Sequence, residues 1–84
     1  MAEDAEREEM LARLERHKAA GEKDYDDLYE ARSTSERTSC YSGAKENFCD
    51  AIGLAERLGL KDEAEALTKR LEHIKAVFRS QFAD

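Results

Sequence analysis

Eighty-four residues, 40% of them charged and 7% aromatic with no Trp, leave material for only a small core, and the net charge is −6. A chain this short makes one domain at most and hides roughly 60–65% of its unfolded surface, so well-fitted helices, self-association or a partner must supplement the core. No face resembles the basic patch that neutralises phosphates, so nucleic acid is not an expected partner.

The charge is uneven. Residues 1–31 carry 11 acids and 5 bases, residues 32–58 carry 4 and 4, and residues 59–84 carry 5 and 5, so the acidity belongs to the first third. The longest purely apolar run, Ala51-Ile52-Gly53-Leu54-Ala55, is far short of the about 20 residues that span a membrane. The opening Met1-Ala2-Glu3-Asp4 has neither the basic nor the apolar region of a secretory signal, so the expected location is cytoplasmic. There is no proline, and four glycines are the only strong breakers. β-branched residues are scarce and show no period-two alternation, so the expected fold is all-α.

Residues 3–19 read as a first helix, rich in Ala, Leu, Glu, Arg, Met and Lys. Acids crowd its start and Arg16, His17 and Lys18 close it, matching the helix dipole. Gly21 follows as a candidate C-cap. The apolar stripe is thin: Met10, Leu11 and Leu14, with Ala5 and His17 on its margins. Such a helix can dock, but holds no core by itself.

A second helix starts near Asp24, a candidate cap with Asp27 three residues on. Tyr25, Leu28 and Tyr29 share one face. Residues 33–39 are then rich in hydroxyl side chains that compete for the backbone. Two readings stand. Ser33 and Glu36 form a capping box and break the helix, or one helix runs over 24–58; the lack of Pro or Gly between residues 22 and 42 favours continuity.

From Tyr41 the period is plain. Tyr41, Ala44, Phe48, Ala51, Ala55 and Leu58 recur at alternating spacings of three and four, and Ile52 widens the stripe. Cys40, Leu54 and Leu58 open a flank for the first helix or another subunit. Gly59 ends the helix. Asp62, with Glu65, is placed as the cap of a last helix over 62–82, whose Ala64, Leu67, Leu71, Ile74 and Phe78 follow the same spacing, with Phe82 continuing the face. A short turn between two such helices makes them antiparallel neighbours.

The expected architecture is a single domain of three helices, or four if residues 33–39 break the second. A long antiparallel hairpin fills the C-terminal half, and the N-terminal helix packs on it. The expected core is Tyr41, Phe48, Ile52, Leu58, Leu67, Leu71, Ile74 and Phe78, with Met10, Leu14, Leu28 and Tyr29 as a satellite. Gly21-Glu22-Lys23-Asp24 and Gly59-Leu60-Lys61-Asp62 share a Gly-x-Lys-Asp form 38 residues apart, which shared turn chemistry or a duplication would produce. The stretch Leu58-Gly59-Leu60-Lys61-Asp62-Glu63-Ala64 resembles the inter-helix turn of tetratricopeptide repeats. Phe48 falls where that family places its large aromatic, Ile52 replaces its small residue, and its closing proline is missing. The resemblance implies a helical hairpin.

Groups that could carry chemistry are scattered. Cys40 and Cys49, nine residues apart on one helix, point to opposite faces about 13 Å apart along the axis, too far for a disulfide and out of step with a zinc pair. His17 and His73 are isolated, and no Glu-x-x-His repeat suggests a di-iron bundle. The acids of residues 3–9 and 22–30 read as a solvated face or an acidic docking surface. Ser33 to Ser39, flanked by Arg32 and Arg37, could accept phosphate. No enzyme activity, cofactor or metal is expected. The leading expectation is a protein-interaction or adaptor module that self-associates as a homodimer, offering Met10, Leu11, Leu14, Tyr25, Leu28, Tyr29 and Leu54 as its surface. The alternatives are an acidic regulator that binds a basic protein surface, and a small-ligand or metal-dependent helical regulator.

Overall fold

A computed structural model of the protein describes residues 2–82. Among them lie three α-helices and no strand: α1 (Ala2–Glu30), α2 (Thr34–Arg57) and α3 (Lys61–Val77), the last continued by a π-helical turn over Phe78–Phe82. Helix α1 runs antiparallel to α2, with Arg7 near Leu58, His17 on Asn47 and Asp24 on Asn47. Helix α3 runs antiparallel to α2 and parallel to α1, placing Phe78 on Tyr41 and Arg70 on Glu22. The molecule measures 50 × 20 × 13 Å, the shape of a thin three-helix bundle.

The all-α, three-helix expectation holds, but the helices divide the chain differently. Gly21 does not stop the first helix. It sits in the middle of the 29-residue α1, buried against α2. A Cβ there would lie 2.7 Å from Cε2 of Phe48, so the missing side chain is the space that the ring fills. Asp24 is accordingly no cap; its carboxylate accepts a hydrogen bond from Asn47 of α2. The second helix is not continuous from 24 to 58. The chain turns between Glu30 and Thr34, and Ser33 begins α2 from an extended conformation. Its Oγ accepts the Glu36 N–H at 3.1 Å, while the Glu36 carboxylate accepts the Arg32 N–H at 2.8 Å. The capping-box reading thus prevails over continuity, because the turn also folds Tyr25 and Leu28 back into the core.

The second turn is built on Gly59, at φ 75°. Leu60 N–H donates to the Ala55 carbonyl and Gly59 N–H to Glu56, the paired bonds of a Schellman cap. Helix α3 then starts at Lys61, one residue earlier than expected. Leu60 occupies the cap position without a side-chain bond, and Asp62 lies in the first turn, where its charge favours the dipole. The two Gly-x-Lys-Asp segments are therefore not equivalent: one turns the chain, the other is inside a helix.

One apolar cluster joins all three helices. Leu14, Tyr25 and Leu28 of α1 meet Phe48, Ala51, Leu54 and Ala55 of α2 and Leu67, Leu71 and Ile74 of α3. Leu14 and Leu28, expected in a satellite, are wholly enclosed. Tyr41, Ile52, Leu58 and Phe78, expected in the core, are half-buried at its edge. In the π-helical turn Phe78 stacks on Tyr41 with centroids 3.9 Å apart, and Phe82 meets Tyr29 edge-on at 5.3 Å.

Charged pairs align α1 with α3. Arg70 grips the Glu22 carboxylate through two hydrogen bonds of 2.7 Å, and Lys18 Nζ lies 2.6 Å from Glu63 Oε1. The Arg70 hydrogen bonds hold the Glu22 carboxyl below its ordinary value, and the Glu63 carboxylate holds Lys18 above its own. The Arg70 guanidinium also covers the Tyr25 ring, 5.0 Å from its centroid. Desolvation, then the hydrogen bond with Tyr29, pushes the Tyr25 hydroxyl up to about 12.

Two glycines of similar helical context should respond in opposite directions. Gly21→Ala drives a methyl into Phe48 and should destabilise the fold by about 1–3 kcal/mol. Gly53→Ala meets nothing within 4 Å. It should stabilise by about 0.5–1 kcal/mol through helix propensity, with urea unfolding of both variants as the measurement. Glu22→Gln should cost no more than about 1 kcal/mol at neutral pH, since the pair is partly solvated. Because folding lowers the Glu22 pKa, its contribution is present above the ordinary 4.5 and fades as pH falls through the lowered folded value. Thermal unfolding from pH 7 to pH 3 should therefore show a shallower acid decline for the variant than for the native chain.

Candidate functional site

The seam between α1 and α2 opens, toward the chain's N-terminal end, into a surface groove of about 430 Å³. It is lined by Arg13 and His17 of α1 and by Cys49, Asp50, Gly53, Leu54 and Arg57 of α2. The sequence sets its depth. Leu54 is buried as floor, while Gly53 brings no side chain to the wall. Arg13 and Arg57 are exposed, and neither has a carboxylate within ion-pair distance among the described residues. Both also line a neighbouring hollow with Glu6, Glu9 and Met10, so the two depressions form one continuous face.

A polar strip organises the closed part of the seam. Asn47 donates its amide hydrogens to Asp24 Oδ2 at 3.1 Å and to the Gly43 carbonyl at 3.0 Å. With both hydrogens committed, its Oδ1 is left to accept from His17 Nδ1 at 2.9 Å, which assigns the proton to that nitrogen. Asp50 Oδ2 stands 3.9 Å from the same nitrogen. Gly43 permits the arrangement, since a Cβ there would lie 2.7 Å from Asp24 Oδ2. The strip fixes the His17 ring at the mouth of the groove.

A second cleft, of about 400 Å³, lies between the end of α1 and the start of α2, against Asp27, Glu30, Ser35, Glu36, Ser39 and Cys40. It is acidic, and Asp27 is already paired with Lys23 at 3.1 Å. Burial, then the carboxylates of Asp27 and Asp24, hold the Cys40 thiol above its ordinary value, which disfavours the nucleophilic thiolate. No group of three or more His, Cys, Asp or Glu among the described residues is placed to share a metal ion. No helix among them is long and apolar enough to cross a membrane.

The expected interaction surface is largely internal. Leu14, Tyr25, Leu28 and Leu54 are buried within the chain's own core. With α1 continuous through Gly21, its apolar stripe faces α2 and α3. Met10 and Leu11 are half-buried at the core's edge, and Tyr29 is 52% exposed. The residues that shape the groove, Arg13, Gly53 and Arg57, did not stand out in the sequence, because Arg57 reaches Arg13 only through the antiparallel register of α1 and α2. The signal for that register was present: Leu11, Leu14, Lys18, Gly21, Tyr25 and Leu28 alternate at three and four across Gly21. No known protein family, curated protein or solved structure matches this chain.

The two thiols should differ in reactivity. Cys49 is exposed and Cys40 half-buried among carboxylates. Titration of the native protein with a chromogenic disulfide reagent should show Cys49 reacting faster by about tenfold or more, and unfolding in urea should erase the difference.

Proposed function

We propose that the protein is a non-catalytic helical interaction module that binds protein, copies of itself included, through the N-terminal part of α1 and the groove beside it. The observation that carries this reading is the reach of α1. Residues 3–9 are helical yet exposed on every side, and among the described residues the only hydrogen bond from this segment to the α2–α3 turn is a long one of 3.4 Å from Arg7 to the Leu58 carbonyl. The bundle gains almost no burial from these two turns. A helix that is polar all round and projects past its own fold suits contact with another molecule.

The wholly apolar buried set supports the same reading. Among the described residues no polar or charged side chain is buried in the core, whereas a small-ligand or metal-dependent regulator would need converging polar groups inside. The arm's charge favours one further reading. Glu3, Asp4, Glu6, Glu8 and Glu9 have no cation within 4.0 Å among the described residues, so the arm could also occupy a basic surface of another protein.

Affinity capture from native lysate should separate function from inert exposure. The native chain is compared with a variant carrying Glu3→Gln, Asp4→Asn, Glu6→Gln, Glu8→Gln and Glu9→Gln. Proteins retained by the first and lost from the second, with the chain itself counted among them, are the expected result. Identical retention by the two baits would remove the arm from the function. The basic-partner reading further requires release of those proteins as ionic strength rises.

A further inference from the structure

We infer that the partner of the arm is a second copy of this chain, the two α1 helices crossing antiparallel near Met10 so that each acidic arm lies on the other's Arg13–Arg57 groove; this rests on the interaction-module reading above. At 100° per residue, Glu3, Glu6, Met10, Arg13 and His17 fall within one narrow face of α1. Read along the helix, that face runs acid, acid, apolar, base, imidazole. Such an order is complementary to itself when reversed, which is the requirement for an isologous two-fold contact. Arg57 joins the basic half from α2, next to Arg13. Among the described residues no cation stands within 4.0 Å of Glu3 or Glu6 and no carboxylate within 4.0 Å of Arg13 or Arg57, although Glu6 and Glu9 share the outer hollow with both arginines and Asp50 faces His17.

The neighbouring structure fits that occupant. Gly53 costs helix stability and makes no contact that a Cβ would disturb, so the bundle itself has no use for its bareness. A helix lying along the groove does, because it approaches the α2 backbone there. The contact runs about 20 Å along each helix, from Glu3 to His17, and rests largely on solvated charge pairs, so the pairing is weak and reversible. Each copy carries a net −6, so long-range repulsion opposes association at very low salt. At about 0.1 M the screening length falls to about 10 Å, which removes the distant repulsion and leaves the close contacts; higher salt weakens those too.

The test is the molar mass in solution, by sedimentation equilibrium over a concentration series at about 0.1 M salt. The native chain is expected to shift from monomer to dimer as concentration rises. Arg13→Glu and Glu6→Arg should each weaken pairing by roughly tenfold or more, with helical content unchanged. An equimolar mixture of the two variants should regain the dimer, since each reversed charge then faces its opposite on the partner. Misfolding cannot produce that rescue. A native chain that stays monomeric throughout the series overturns the inference, as does a dimer indifferent to the single reversals or a mixture that fails to pair. Any of these outcomes leaves the lysate comparison free to succeed, so failure of this pairing is distinct from failure of the interaction-module reading.

Discussion

The close approach of α1 and α2 at Gly21 and Phe48 governs the rest of the bundle. With no Cβ on Gly21, the Phe48 ring lies directly against the α1 backbone. The ring is 1% exposed, and it is among the largest fully enclosed side chains of the chain. That fit requires α1 to continue through residue 21, because a helix ending there would withdraw Tyr25 and Leu28 from the core. It also sets the register in which Asp24 lies over Gly43 and His17 meets Asn47. One glycine inside a helix costs about 1 kcal/mol, and burying a Phe ring returns more.

Helix α3 is held by a different balance. Its apolar residues Leu67, Leu71 and Ile74 complete the cluster, but its alignment with α1 comes from Lys18–Glu63 and Arg70–Glu22. Partly solvated pairs of this kind add little stability, at most about 1 kcal/mol each. Their value is positional. Arg70 meets Glu22 in a two-point grip that a shift of one helical turn would break, and the same guanidinium lies over Tyr25. The apolar contacts decide that α3 docks, and the ionic contacts decide where.

Much of this is legible in the sequence, and the exceptions share a cause. The stripes flanking Gly59 predicted α2, α3 and their turn, because both are amphipathic and Gly59 takes a conformation that favours glycine. The same rule misled at Gly21, where the residue answers to its neighbour in space, Phe48, and not to its own backbone angles. Lys18 hid the period of α1 in the same way. It stands in the apolar stripe but keeps its ammonium on Glu63, so a stripe that alternates at three and four looked thin and broken. Ser33 shows the reverse case, in which a capping pair visible in the sequence was outweighed by the lack of Gly or Pro nearby. The groove was the least legible feature, since Arg13 and Arg57 are 44 residues apart and each alone is an ordinary surface charge.

The distribution of charge acquires meaning only on this frame. The acidity of the first third could have been a uniformly solvated helix. In its C-terminal half Glu22 pairs with Arg70 and Asp24 with Asn47 across the bundle and Asp27 with Lys23 along α1, while Asp26 and Glu30 stay exposed. Among the described residues the acids of residues 3–9 have no cation within 4.0 Å. On the same side, Arg13 and Arg57 are the cations that the fold leaves unneutralised beside a bare stretch of α2. On that basis the electrostatic complement that we propose for this end of α1 lies outside the chain. The reversal symmetry of the α1 face makes a second copy sufficient to supply it.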